Sequence, residues 1–301
     1  VTHEQANNLF QKHAKTFSLA AKLFQKSHRA DITVFYAFCR TVDDIADLSR
    51  DKEAAKIKLY QILNDLESSL INDFPDMHAL MKRKKISYYF LDRLINGLIE
   101  DLNPRAIKTV DELLEYCKKV ASTVGMIVCN IVGPIEEKAL PHAIDLGIAM
   151  QLTNIARDVF EDANSAQVFL PIELFDPSYQ QMDHQAFCKL LKEEFGSSWI
   201  QEARNKILDL ADSFYISGSQ GYTYLPIRAK MAVAAAASMY REIGVECRKN
   251  PAIQRCHVSL LSKTFIGLKA LSCLWLFSLK KSAPAKNQSF YQEFLSKYEK
   301  I

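Results

Sequence analysis

The segment FCRTVDDIAD, Phe38 to Asp47, sets three acids into five positions, directly behind an arginine and among otherwise apolar residues. Read as a helix, it places Asp43 and Asp47 one turn apart on nearly the same line, and that line runs back through Arg40 to Tyr36. Asp44 lies to one side. Like charges at this spacing repel by about 0.2–0.5 kcal/mol on an exposed helix and by more when sheltered from water. Such a stripe calls for a positive partner between its acids.

The same helical spacing extends outward over most of the chain. Apolar residues recur at three and four positions, and the breaks fall at Asn72 to Asp76, Asn103-Pro104, Gly133-Pro134, Asp176-Pro177 and Asn250-Pro251. With nine glycines and nine prolines in 301 residues, the composition favours long helices over many turns. The spacing predicts roughly ten helices. No strand alternation is sustained: Met126 to Val132 comes nearest, and it continues a helical pattern begun near Val110. Without a repeat or a low-complexity linker, one all-α domain over residues 1–301 is the economical reading, with 281–289 as an exposed connector before a last short peripheral helix. Ala163 to Pro171 and Ser217 to Pro226 are read as loops able to close over a cavity.

A second acid segment, QLTNIARDVFED, Gln151 to Asp162, spaces Gln151, Asn154, Asp158 and Asp162 by three, four and four. It forms another polar line, with Arg157 and Glu161 beside it, inside a predominantly apolar stretch. A solvent-facing helix ordinarily carries mixed charges rather than a ladder of carboxylates set among apolar residues. Mg²⁺ fits such ladders: it prefers oxygen ligands, takes one or two carboxylates and keeps other positions for water and substrate phosphates. Two facing DxxxD helices would hold several ions around a diphosphate, with Arg40 and Arg157 adding charge-assisted contacts. One DxxxD alone is common by chance. The pair is the specific signal.

These residues resemble the squalene/phytoene synthase family, the head-to-head prenyl transferases. The likeness runs through KTFSLA (Lys15 to Ala20), YAFCRTVDDIAD (Tyr36 to Asp47), YCKKVASTVG (Tyr116 to Gly125), QLTNIARDVFEDA (Gln151 to Ala163) and LPIRAKMAVAAAASMYREIG (Leu225 to Gly244). It implies an isoprenoid-synthase-type helical bundle around a central cavity. It further implies that Asp43, Asp47, Asn154, Asp158 and Asp162 bind Mg²⁺ and two diphosphates, and that Arg40, Arg157 and Arg255, with Lys263, hold diphosphate oxygens. Phe17, Tyr36, Tyr116 and Tyr240 match chamber aromatics, Gln151 matches a polar group near the first ionisation, and Ser18 and Asp44 fall with the substrate-contacting residues. The chemistry implied is the joining of two prenyl diphosphates through a cyclopropyl intermediate into a 1-1′ linked hydrocarbon, with aromatic faces sheltering the carbocation. One departure stands out: Gln167, in AQVFLP, occupies the place where the family usually has an arginine.

Chain length is read from Ala21, one turn beyond Phe17, and Thr33, about one turn before Tyr36. An extra isoprene unit needs about 5.4 Å, one helical turn. Small residues at both places favour geranylgeranyl diphosphate and phytoene over farnesyl diphosphate and presqualene diphosphate, squalene or dehydrosqualene. NADPH is expected only if the product is squalene, and no GxGxxG fingerprint is present. A terpene cyclase would not be expected to carry both acid signatures, and a non-catalytic assembly protein would be expected to lose its carboxylates.

A formal charge of +3 points away from nucleic acid. Met81 to Lys85 is read as a solvated helix surface. Seven scattered cysteines without a CxxC pair suggest reduced thiols in a cytoplasmic setting, without disulfide or zinc. The polar amino end shows no signal-like apolar run. Val258 to Leu279, broken by Lys263 and Lys269, is expected to be a buried terminal helix, with a helix resting on a membrane surface as the alternative.

Overall fold

The computed structural model describes residues 15–68, 73–133, 136–277, 285–287 and 291–292. The helical spacing becomes α1 (Lys15–Ala21), α2 (Lys26–Leu48), α3 (Lys52–Ser68), α4 (Pro75–Lys84) and α5 (Tyr88–Glu100), then a two-residue strand β1 (Arg105–Ala106). Next, α6 (Val110–Cys117) passes through a π-helical turn at Lys118–Ser122 into α7 (Thr123–Val132). The second acid segment lies on α8 (Leu140–Arg157) and α9 (Val159–Asn164), followed by β2 (Gln167–Val168). The remainder is α10 (Pro177–Gln180), α11 (His184–Glu193), α12 (Ser198–Gln220), α13 (Ile227–Lys249) and α14 (Leu260–Phe277). The architecture is all-α, as expected. It has fourteen α-helices among the described residues rather than roughly ten, because local caps divide the longer predicted runs. Asp176, for example, caps the one-turn α10 through the Ser178 N–H. One small element escaped the periodicity: β1 and β2 pair in parallel, Arg105 with Gln167 and Ala106 with Val168. Two residues are too few to alternate.

Helix α8 occupies the middle, against α7, the π turn, α12 and α13. Its approach to the α6–α7 rod requires missing side chains: a Cβ on Gly147 would meet the Ala121 carbonyl oxygen at 2.5 Å, and one on Gly125 the Ala143 carbonyl oxygen at 2.5 Å. Ile148, Leu152 and Ile155 of α8 join Phe35, Phe38 and Val42 of α2, Leu91 and Ile95 of α5 and Ile207 of α12 in one core.

Within that core, Arg204 of α12 is fully buried. Its Nε donates to the Ala156 carbonyl at 2.9 Å and its Nη1 to the Pro251 carbonyl at 3.1 Å, so one guanidinium serves the last turn of α8 and the chain just beyond α13. A cation suits a helix C-terminus, where carbonyls are left without helical partners. Arg204→Met strips both carbonyls and is expected to lower the unfolding free energy by about 2–4 kcal/mol in urea titrations. A loss under about 0.5 kcal/mol would contradict this reading of the contact.

Four expectations need correction. Ser217 to Pro226 is not a loop: residues 217–220 finish α12 and Gly221–Tyr224 form a 3₁₀ turn, because Gly218 lets α12 press against Leu146. The basic run is not merely solvated, since Arg83 pairs with Asp31 at 2.5 Å and Lys84 donates to the Ile131 carbonyl at 2.7 Å near the end of α7. The expected connector is docked where described: buried Asp145 accepts the Lys286 N–H at 2.8 Å and the Asn287 amide at 3.0 Å, since a buried carboxylate needs donors. Tyr291 is buried as well; the expected last helix otherwise falls outside the described residues. Finally, α14 is not a buried helix where its side chains are described. It packs on α13, while Leu261, Phe265 and Leu268 are 84%, 70% and 62% exposed. Among the described residues no helix is long and apolar enough to cross a membrane.

Candidate active site

The first acid motif rides on α2. Arg40 forms its ion pair with Asp44, the residue that lies to one side of the Tyr36-Arg40-Asp43-Asp47 stripe. Among the described residues its Nε is buried without a hydrogen-bond partner. Asp43, partly buried, has its carboxyl pushed up to about 7 by burial and by repulsion from Asp47, Asp44 and Asp101, against the opposing pull of Arg40. Asp47, more exposed, is raised too, with burial the first cause. Neighbouring Tyr36 is raised to about 12, chiefly by burial.

The second motif is not one uninterrupted helix. Asp158 leaves helical geometry at φ −98° and ψ 14°, separating α8 from α9. The hydrogen-bond ladder still crosses the break: the Asp158 N–H donates to the Asn154 carbonyl and the Asp162 N–H to the Asp158 carbonyl, both at 2.8 Å. The polar residues therefore stay in sequence along the rod. Arg157 Nε donates to Asp158 Oδ1 at 2.7 Å, and Arg255 reaches Asp158 at 3.5 Å and Glu161 at 3.8 Å. Asp162 is pushed well above the usual carboxylate range by burial and by Asp158, Glu161 and Asp101. Among the described residues Glu161 keeps one buried oxygen without a partner.

Asp101 connects the motifs. Its charge repels Asp43 on α2 and Asp162 on α9, so one acid of each motif lies within its electrostatic reach. Its Oδ2 accepts the Tyr116 hydroxyl at 2.7 Å and its Oδ1 faces Arg105 Nη1 at 3.4 Å. Burial pushes its own carboxyl up to about 6, opposed by Tyr116 and Arg105. Tyr116 is buried, stacked on Phe169 at 4.9 Å, with the Arg105 guanidinium 5.0 Å from its ring centroid.

The apolar side is built from α1, α2, α7 and α13. The ring of Phe17 stands 5.2 Å from that of Tyr240. The Tyr240 hydroxyl donates to Asn154 Oδ1, and the Asn154 amide donates to Gln151 Oε1 at 3.3 Å. Ala21 is buried with Phe24, Val132, Ala229 and Ala232, and Tyr36 packs against this group. Ser18 shares α1 with Phe17 and Ala21, and Lys263 lies in the first turn of α14, partly buried.

These residues fit a hard divalent cation. The donors are carboxylate and amide oxygens, several acids are held close enough to raise one another, and a buried Glu161 oxygen is left over. Among the described residues no three His, Cys, Asp or Glu side chains form a ready-made cage. A cation here would take part of its shell from water and phosphate oxygens, as Mg²⁺ does.

The raised acids set a pH dependence. Below about pH 4, Asp43 is protonated in both folded and unfolded chains and contributes nothing. Between its ordinary value of 3.8 and its folded value of about 7, the folded state holds the proton more tightly, so stability falls as pH rises, with the full penalty reached above 7. Asp101 acts in the same sense up to about 6. Metal-free Asp43→Asn is therefore expected to match wild type at pH 4 and to exceed it by about 2–4 kcal/mol at pH 8 in urea titrations. Equal stability at pH 8 would mean that Asp43 carries no such strain.

The model of the family described as squalene/phytoene synthase matches residues 10–262, a span containing both acid motifs, Asp101, Tyr116 and Tyr240. The chain belongs to the squalene/phytoene synthase family. It is thus a prenyltransferase of a type that generally uses a divalent metal. It is 32% identical over 268 residues to the 15-cis-phytoene synthase of Paracoccus sp. (strain N81106 / MBIC 01143), covering 85% of each chain. With the phytoene synthase of Rhodobacter capsulatus it shares 30% over 252 residues, 82% of this chain and 73% of the other. A dehydrosqualene synthase solved with a ligand superposes at a TM-score of 0.80 with 24% identity, covering 91% of this chain and 96% of that one. Squalene synthase HpnC from Alicyclobacillus acidocaldarius gives 0.70 with 19% identity, over 83% and 94%. These two likenesses establish the fold.

Sequence reasoning about this family member missed Asp101 and Arg105. They sit in an ordinary helix-ending loop without repeat or motif. The signal that could have found them is the extra acid at a helix end preceding Asn103-Pro104, a turn that needs no charge.

Proposed function

We propose that this chain joins two molecules of geranylgeranyl diphosphate head to head and converts the product to phytoene. What supports the reading is that the Asp101 charge reaches one acid of each motif, Asp43 and Asp162, and that the Phe17–Tyr240 pair is tied to the second motif through the Tyr240–Asn154 hydrogen bond. Mg²⁺, held by Asp43, Asp47, Asn154, Asp158 and Asp162, would neutralise the departing diphosphate's charge. Arg40, Arg157 and Arg255, with Lys263, orient diphosphate oxygens; Ser18 and Asp44 complete the polar rim. Gln151, tied to Asn154, presents its amide near the first leaving group. Phe17, Tyr36 and Tyr240 offer ring faces that shelter a carbocation without reacting with it, and a dry surround strengthens every charge contact. Tyr116 is fixed by Asp101 and keeps that carboxylate oriented.

Ala21 lies with Phe24, Val132, Ala229 and Ala232; its methyl group, in place of a side chain that would take up about one helical turn, supports a C20 chain, as do the phytoene synthases among its relatives. The runner-up uses farnesyl diphosphate, with NADPH if squalene forms. A single domain, a cytoplasmic setting and peripheral contact with lipid through the exposed face of α14 complete the proposal. The test is mass analysis of the hydrocarbon made from each prenyl diphosphate with Mg²⁺, with and without NADPH. A C40 hydrocarbon from the C20 substrate without NADPH is expected. A C30 product from the C15 substrate, with the C20 substrate unused, would overturn it.

A further inference from the structure

We infer that Gln167, at the position where the family pattern has arginine, is a positioning residue: its amide clamps the Asp101–Arg105 loop and so holds the Asp101 carboxylate against Tyr116 and Arg105. Resting on the proposed reaction, this concerns a side chain that bonds backbone groups rather than the carboxylates. Gln167 is buried, and its amide carries one acceptor oxygen and two donor hydrogens. The oxygen accepts the Arg105 N–H at 3.1 Å; the nitrogen donates to the Asp101 carbonyl at 2.7 Å and to the Asn103 carbonyl at 2.9 Å. Three backbone groups of one short loop are therefore gathered by one side chain.

The loop needs such a clamp. Asp101 caps the C-terminus of α5, where carbonyls lack helical partners. The neighbouring β1–β2 ladder spans two residue pairs, too little to fix a loop alone. Beyond it the Ile107 N–H donates to the Val168 carbonyl at 2.9 Å. What the clamp fixes is functional geometry: the Asp101 carboxylate against Tyr116 and Arg105, and Arg105 over the Tyr116 ring. An arginine at 167 could donate to both carbonyls, but it has no acceptor for the Arg105 N–H and would bring a second cation close to Asp101. Glutamine makes all three contacts without charge.

The experiment compares wild type, Gln167→Met and Gln167→Arg with geranylgeranyl diphosphate and saturating Mg²⁺, well below each variant's Tm, with near-UV circular dichroism checking the fold. Wild-type product formation tests the proposed reaction; the ratios among the proteins test the clamp. Gln167→Met, equal in length but unable to bond, is expected to lose about 10- to 100-fold in kcat with KM changed by less than about 2-fold. Gln167→Arg, which restores the two donors, is expected to recover most of that loss. If Gln167→Met lowers Tm but keeps wild-type kcat, the side chain only fills space and the inference fails. Equal losses in both variants would also overturn it. Should Gln167→Met not fold, Gln167→Glu decides, since it keeps an acceptor for the Arg105 N–H but sets an oxygen against the Asp101 and Asn103 carbonyls: a kcat loss of about 10-fold or more supports the clamp, and wild-type kcat opposes it.

Discussion

Asp43→Ala and Asp158→Ala are each expected to lower kcat by about 10³-fold or more while the protein stays folded. Both acids answer to the diphosphate rather than to the core. Burial and the neighbouring acids push the Asp43 carboxyl up, so its removal relieves desolvation and repulsion together. Asp158 is paired with Arg157 and Arg255; its loss leaves the largely buried Arg157 guanidinium without that partner, at a cost of about 1–3 kcal/mol. Stability should therefore fall modestly in one variant and rise in the other, even as turnover vanishes. Single-turnover rates and urea midpoints measured on the same preparations separate the two effects. A variant retaining more than about a tenth of wild-type kcat would remove that acid from the metal-binding set.

Ala21→Phe is expected to reverse the chain-length preference, lowering kcat/KM for the C20 substrate relative to the C15 substrate by about 100-fold. Ala21 is 2% exposed and packs with Val132, Ala229 and Ala232. A phenyl ring there claims roughly the one helical turn, about 5.4 Å, that an additional isoprene unit requires. Competition between the two substrates in one reaction gives the ratio directly. If Ala21 instead faces solid core, the ring would cost about 1–3 kcal/mol of stability by overpacking and leave the preference unchanged. Loss of Tm without a change in ratio would take Ala21 out of the tunnel wall.

Much of this was legible in the chain because helical spacing is a local property. The apolar positions three and four apart fix α2, α8 and α13, and the DxxxD spacing alone says that Asp43 and Asp47 share a line. The break at Asp158 was not legible, since the hydrogen-bond ladder continues through it and the spacing of polar residues is preserved. Asp101 stayed hidden for a different reason. Its place depends on a pairing between residues 62 apart, Arg105 with Gln167, and two-residue strands leave no periodic trace. Gln167 was visible as a departure, yet its partners are backbone groups, which every sequence has. Asp145 likewise showed no motif; its role emerges once Lys286 and Asn287 fold back onto it.

Anomalous diffraction from crystals soaked with Mn²⁺ and a non-hydrolysable prenyl thiodiphosphate tests the sharing of divalent ions by the two acid motifs most directly. Peaks in the space between Asp43 of α2 and Asp158 of the α8–α9 junction, with ligand phosphate oxygens common to both sides, are the expected result. Ions bound to one motif alone, or the thiodiphosphate seated away from both, would contradict it.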